Sequence, residues 1–230
     1  MIYNTIVPAI FLNRPNRFIA QVLLDSKTET VHVKNTGRCK ELLIPGCTVY
    51  LEKSSNPSRK TAYDLIAVEK LYPNKKTLLV NIDSQAPNKI VFDWLKTQNY
   101  SYIKPEYTFG KSRLDFYLEK EGQKYLMEVK GCTLEIEGKG FFPDAPTERG
   151  VKHIQELIVA QELGYKGILA FVIQMEGITE VLPNEKTHPE FAQIFHQAEK
   201  KGIEILFLCC SVLPQEIKIT QCIKKSTKII

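Results

Sequence analysis

The pattern of apolar residues changes once along this chain, near residues 82–86, and that change limits the fold more than any other feature. Before it, short β-like runs alternate with turn residues: Phe18–Leu24, Thr30–Val33, Val49–Lys53, Tyr63–Val68 and Leu78–Ile82. No long amphipathic helix interrupts them, and the one brief helical stretch is Lys40–Leu43. Five short strands in roughly 80 residues predict a small closed β-barrel of the OB kind over residues 1–84.

After Ser84 strands alternate with helices. Pro87 sits near the start of a helix with the apolar face Ile90, Val91, Trp94 and Leu95. Leu114–Leu118 and Tyr125–Lys130 form a hairpin around Glu121-Gly122. Val151–Leu163 is a helix with Ile154, Leu157 and Ile158 on one face and Gly164 as its stop. Ile168–Ile173 is a buried strand, Pro189–Lys201 a helix ended by Gly202, and Ile203–Cys210 a further strand. A hairpin followed by such alternation predicts an α/β domain over residues 85–230, with parallel pairing in a mixed central sheet.

Charge divides at the same boundary. The net +5 lies wholly in residues 1–84, with 12 basic and 7 acidic side chains, whereas residues 85–230 carry 19 of each. Arg14, Arg17, Lys34, Arg38, Lys40, Arg59 and Lys60 fall near turns or strand edges and interleave with Phe18, Tyr50 and Tyr63. OB barrels bind nucleic acid with such a mixture, bases stacking on aromatics and phosphates held by cations. An ordinary solvated surface over an aromatic core would look similar, and the localisation of the charge favours binding. With 43% hydrophobic and 25% charged residues the chain is neither disordered nor a coiled coil. It has no apolar run of about 18 residues and no signal-peptide pattern, so a cytoplasmic protein without a membrane partner is expected. The six cysteines show no zinc-site spacing and are expected as free, small core residues, Cys209 and Cys210 facing opposite sides of one strand.

The chemistry concentrates between Glu106 and His153. With a two-residue turn at Glu121-Gly122, opposed residues sum to 243, which sets Asp115 across from Glu128. Glu128 and Lys130 then share a face and Val129 points the other way. Opposed carboxylates repel unless a proton or cation lies between them, and oxygen ligands suit a hard divalent cation, Mg²⁺ or Mn²⁺. Such a cation activates water for phosphodiester hydrolysis, with Lys130 beside it as a point charge for water or phosphate. A lone Glu-x-Lys triplet reads more simply as a solvated stripe. Asp115 and the apolar flanks Leu126 and Met127, which mark a central strand, favour the site.

Asp115 followed by Glu128-Val129-Lys130 resembles the signature of the PD-(D/E)xK restriction-endonuclease-like superfamily, with Leu114 where the name has Pro. Further, Asn35-Thr36-Gly37-Arg38, Arg59-Lys60-Thr61, Ser112-Arg113-Leu114-Asp115-Phe116, Glu128-Val129-Lys130, Phe142-Pro143-Asp144-Ala145 and Thr147-Glu148-Arg149-Gly150 together resemble the sugar fermentation stimulation protein (SfsA) family over nearly the whole chain. The resemblance implies an OB-like domain joined to a nuclease-like domain, DNA binding and a regulatory link to sugar metabolism. It implies Asp115, Glu128 and the Val129 carbonyl as metal ligands, and Asp115, Glu128 and Lys130 as the catalytic side chains.

Four residues stand beside these as accessory candidates. Glu106 is either an upstream acid of the metal site or a surface acid paired with a neighbouring lysine. Asp144 either belongs to the site or braces its loop. Arg149 and His153, with Lys152, crowd the start of the Val151 helix, where free N–H groups suit a phosphate, and His153 equally suits a solvent-facing position. Arg14, Arg17, Arg38, Arg59, Lys60 and Arg113 are the expected DNA contacts. Three function classes follow: a Mg²⁺-dependent nuclease, a non-catalytic DNA-binding regulator of sugar (maltose) metabolism genes, and, third, a metal-dependent hydrolase of a small phosphate ester.

Overall fold

The computed structural model describes residues 1–226 apart from Thr36 and Lys75. The first six strands are β1 (Ile6–Asn16), β2 (Ile19–Leu24), β3 (Lys27–Val33), β4 (Thr48–Lys53), β5 (Tyr63–Leu71) and β6 (Thr77–Asn81). They run in the order β3-β2-β1-β4-β5-β6, and a parallel pairing of His32 with Asp64 and Val33 with Leu65 joins β3 to β5. The first five strands thereby close into the expected OB barrel, with β6 added outside β5.

Two local expectations are corrected. The five runs expected to close the barrel correspond to β2–β6, but β6 lies outside it. Its place is taken by β1, which pairs with both β2 and β4 although it carries Pro8 and Pro15, which cannot donate to a ladder. Lys40–Leu43 is a turn and not a helix. Cys39 takes φ +46°, and the N–H groups of Leu42 and Leu43 both donate to its carbonyl, which buries the two leucines from a loop.

The second part contains α1 (Ala86–Leu95), β7 (Tyr102–Phe109), β8 (Ser112–Lys120), β9 (Gln123–Cys132), β10 (Leu134–Ile136), β11 (Lys139–Phe142), α2 (Glu148–Glu162), β12 (Lys166–Ile173), β13 (Val181–Pro183), α3 (Pro189–Lys200), β14 (Glu204–Leu213) and β15 (Glu216–Lys224). Six strands form a mixed sheet in the order β15-β14-β12-β9-β8-β7, antiparallel at both flanks and parallel through β9, β12 and β14. The parallel core is what two strand–helix–strand crossovers produce. A small sheet, β10-β11-β13, lies apart from it. Asp25-Ser26, Glu121-Gly122 and Glu137-Gly138 each place two successive residues at positive φ, the twist-matched geometry of two-residue hairpin loops.

The faces of the large sheet are packed separately. Leu126, Leu169 and Phe171 join Ile154, Leu157 and Ile158 of α2 in one core. Met127, Val129, Ile168 and Ala170 join Ile90, Val91 and Leu95 of α1 in the other, with Trp94 half-buried at its margin. Cys209 and Cys210 fall into opposite cores, as alternation along a strand requires, whereas Cys222 departs from the core expectation and is exposed.

The barrel is bonded firmly to the α/β part. Buried Gln174, just after β12, donates to the Asn81 carbonyl (3.1 Å), Asn81 Oδ1 (3.0 Å) and the Asp83 carbonyl (3.2 Å). Lys70 of β5 donates to Glu135 Oε2 at 2.5 Å and Tyr72 to the same oxygen at 2.8 Å. Residues 1–3 leave the barrel: Ile2 bridges to Glu216, and the Tyr3 N–H donates to the Gln215 carbonyl. No helix among the described residues is long and apolar enough to cross a membrane.

Candidate metal and nucleic-acid site

The β8–β9 hairpin has the expected register, Phe116 opposite Met127 and Lys120 opposite Gln123, but the ladder stops one pair before Asp115 and Glu128. On the other side of β8 the pairing with β7 also skips a pair, from Pro105–Phe116 to Tyr107–Leu114, where Glu106 takes φ +55°. Freed from the ladder, Asp115 takes the place of a strand neighbour. Its Oδ2 accepts the Val129 N–H at 2.7 Å and its Oδ1 accepts from Asn88 of α1 at 2.7 Å. Asp115 and Glu128 are therefore not a ladder pair: Asp115 bonds to Asn88 of α1 and to the Val129 N–H, Glu128 bonds to His153 of α2, and the Glu128 charge still acts on Asp115.

Glu128 is 2% exposed. Its Oε1 accepts from Lys130 Nζ at 2.5 Å and lies 2.5 Å from His153 Nδ1, while its buried Oε2 has no hydrogen-bond partner. Burial alone would raise the Glu128 pKa; the Lys130 charge and the bonds from His153 and Lys130 outweigh it and hold the carboxyl below its ordinary range. Asp115 moves the other way. Burial and the Glu128 charge push it up, against the Val129 N–H, Lys130 and Asn88.

A buried carboxylate oxygen without a donor costs free energy that a cation can offset. Each Asp115 oxygen, with a single partner, keeps lone pairs free, and because a strand residue's N–H and C=O face the same neighbour, the Val129 carbonyl faces β8 beside Asp115. This oxygen set fits a hard divalent ion. Among the described residues no group of three or more His, Cys, Asp and Glu side chains is arranged to hold a metal. Two carboxylates and a carbonyl are nonetheless enough for Mg²⁺, which keeps several of its waters.

The remaining candidates divide. His153 is not solvent-facing: it is 5% exposed and turned inward to Glu128, because α2 starts at Glu148 and its sixth residue already lies over the sheet. Arg149, one turn earlier, donates from Nε to His153 Nε2 at 3.3 Å. Glu106 does not join the acids; it is exposed on β7 and pairs with Arg113 at 3.5 Å. Asp144 braces a loop of the barrel, its Oδ2 accepting the Arg38 N–H at 3.2 Å and lying where a Cβ on Gly37 would come within 2.5 Å.

A cleft of about 790 Å³ separates the barrel from the sheet, with Val129, Gly131 and Asn88 on one side and exposed Arg17, Arg38 and Lys40 on the other. Phe18, 51% exposed and next in sequence to Arg17, carries the Arg17 guanidinium 5.9 Å from its ring centroid. Two of the expected DNA contacts, Arg14 and Arg59, and the neighbouring Lys34 are committed elsewhere. The Arg14 guanidinium donates to the carbonyls of Arg17, Asn35, Gly37 and Arg38 and so holds the loop together. Arg59 grips buried Asp64 in a bidentate pair at 2.9 and 2.7 Å, and Lys34 points in to Glu52, Asp64 and Asp83. Lys60 is exposed but is not among the cleft-lining residues. Arg113 lines a second, smaller groove of about 370 Å³ with Lys111, Arg149, Lys152 and His153. The sequence reading missed Asn88 and Gln174, whose partners lie on distant elements. Thr36, part of the Asn35–Arg38 motif, lies outside the described residues.

A closed OB barrel bonded to a mixed-sheet α/β domain, with Asn88 and Val129, the two partners of Asp115, lining the cleft between them, defines a two-domain protein of the OB-plus-α/β class. The family model described as "SfsA N-terminal OB domain" matches residues 12–82, and that described as "Sugar fermentation stimulation protein RE domain" matches residues 85–216. The sugar fermentation stimulation protein homolog of Desulfitobacterium hafniense (strain DSM 10664 / DCB-2) is 52% identical over 221 residues, 95% of each chain. That of Clostridium perfringens (strain 13 / Type A) is 47% identical over 227 residues, 95% of this chain and 96% of its own. A solved structure, Pyrococcus furiosus SfsA in complex with Ca²⁺, matches with a TM-score of 0.83 and 29% identity over 96% of each chain. The chain belongs to the sugar fermentation stimulation protein family.

Proposed function

We propose that this protein is a Mg²⁺-dependent DNA nuclease of the PD-(D/E)xK type, Mn²⁺ serving in place of Mg²⁺. The observation that carries the reading is the buried, unpartnered Oε2 of Glu128, facing no donor in a cluster that also holds Asp115 and the Val129 carbonyl. The archaeal relative's Ca²⁺ complex supports a divalent site in this family. When bound, the cation would neutralise charge on the phosphate and lower the pKa of a water molecule.

The chain's own residues do the rest. Lys130 keeps Glu128 ionised with one of its three N–H donors, leaving others for a phosphate oxygen or the attacking water. Asn88 and the Val129 N–H fix the Asp115 rotamer. Hydrolysis forms a P–O bond to water as the ester P–O bond breaks; the water proton passes to solvent and the leaving oxygen is protonated. Arg17, Arg38 and Lys40 hold the DNA backbone across the cleft, and Phe18 offers a face on which a base stacks.

Purified protein with Mg²⁺ or Mn²⁺ should cleave at least one of a panel of single-stranded, duplex and branched DNAs. Asp115→Asn and Glu128→Gln should lower the rate by about 10²-fold or more while DNA affinity persists. Wild-type protein that binds DNA with salt-dependent affinity and leaves the whole panel uncut would refute the nuclease and leave a DNA-binding regulator.

A further inference from the structure

We propose that His153 is a positioning residue: its Nδ1–H fixes Oε1 of Glu128 so that Oε2 alone is presented to the divalent cation. The inference rests on the cation reading above and assigns His153 no contact with substrate or metal.

The geometry on Glu128 is asymmetric. Oε1 carries two partners, Lys130 Nζ and His153 Nδ1, each at 2.5 Å, and Oε2 carries none although it is buried. Lysine alone would not enforce this, because an ammonium on a flexible stem is a point charge that either carboxylate oxygen satisfies. The imidazole is rigidly placed. It belongs to α2, whose N-cap Thr147 accepts the Gly150 N–H at 3.1 Å and whose neighbouring Ile154, Leu157 and Ile158 are buried against the sheet.

The partners of His153 set its tautomer. An ionised carboxylate only accepts, so Nδ1 bears the hydrogen toward Glu128, and Nε2 is left to accept from Arg149 Nε at 3.3 Å. Arg149 and His153 stand four apart on the helix, the spacing that puts side chains on one face. The result is a chain from Arg149 through His153 to one named oxygen of Glu128. Outer hydrogen bonds of this kind orient ligating groups, and their loss costs about 10–100-fold in metal affinity.

Two amide variants separate this role from packing. His153→Asn places an amide nitrogen where Nδ1 stood and keeps the donor to Glu128; His153→Gln places its amide nitrogen where Nε2 stood and loses that donor. Isothermal titration of the whole protein with Mn²⁺, and separately with Ca²⁺, should find His153→Asn within about threefold of wild type and His153→Gln weaker by about 10–100-fold. Melting temperatures should be similar in the two variants. Equal affinities in the two variants, whether both retained or both lost, would overturn the inference. If His153→Gln does not fold, His153→Asn decides: retained affinity supports the role and a tenfold loss refutes it. Failure of the cation reading shows in a different place, as wild-type protein that binds neither ion.

Discussion

Replacing Arg59 with alanine separates a stabilising arginine from a DNA-binding one. The guanidinium donates to both oxygens of Asp64, a 4% exposed carboxylate on β5 that also has His32 at 2.9 Å and Lys34 at 3.3 Å. Burial alone would raise the Asp64 pKa, yet these partners, Arg59 foremost, bring it from an ordinary 3.8 to about 2. Each tenfold change in proton affinity is worth about 1.36 kcal/mol, so the whole arrangement contributes about 2 kcal/mol at neutral pH. Removing Arg59 while His32 and Lys34 remain should cost about 1–2 kcal/mol, a fall of roughly 2–8 °C in melting temperature for a chain of this size. The sign with pH follows from a depressed carboxylate pKa: the contribution is complete above about pH 4 and disappears as pH falls toward 2. Melting curves of wild type and Arg59→Ala should therefore differ at pH 7 and draw together only as pH approaches 2, while DNA affinity stays the same at fixed salt. An unchanged melting temperature at pH 7 together with weakened DNA binding would refute the reasoning and return Arg59 to the nucleic-acid surface.

Two further outcomes test the cleft and the domain junction. Arg17→Ala combined with Arg38→Ala should weaken DNA binding and flatten the dependence of log affinity on log salt by about 2, read by fluorescence anisotropy across a salt series; an unaltered slope would place the DNA elsewhere. In Gly131→Ala the new Cβ would collide with Gln174 Oε1 and approach Pro87 Cγ at 3.0 Å. Gln174 cannot turn away without giving up its bonds to Asn81 and Asp83, so the variant should lose about 1–3 kcal/mol in chemical denaturation; a loss near zero would show that the junction yields easily.

Much of the fold was legible because local and tertiary demands agree. β9, α2, β12, α3 and β14 carry long apolar patterns of unambiguous period, and the turn at Glu121-Gly122 set the hairpin register that the structure has. β1 was hidden by its prolines, and the polar, exposed β15 by the lack of an apolar run. Lys40–Leu43 looked helical because it buries two leucines, but the positive φ at Cys39 makes it a turn. At the site, the spacing from Asp115 to Glu128 and Lys130 was readable along one hairpin. The partnership of His153 with Glu128 was not, since it joins a helix to a strand 25 residues away. For Arg14 and Arg59 the residue type shows a charge but not its partner; folding supplied four carbonyls to one and Asp64 to the other.

The contact of residues 1–3 with β15 bears on how the protein assembles. Tyr3 is 2% exposed, and its hydroxyl accepts from Asn81 at 2.9 Å and donates to Asp83 at 3.3 Å, so one side chain at the head of the chain packs at the seam while its backbone bonds to Gln215 near the tail. The barrel is thus an excursion between two pieces of the α/β body. Closing a loop of more than 200 residues is entropically costly and slow, so this seam should be among the last features to form, after barrel and sheet have each organised. A fragment beginning at residue 85 would lack Tyr3 and expose the flank of β15 that residues 1–3 cover, leaving an unpaired edge of the kind that recruits other chains.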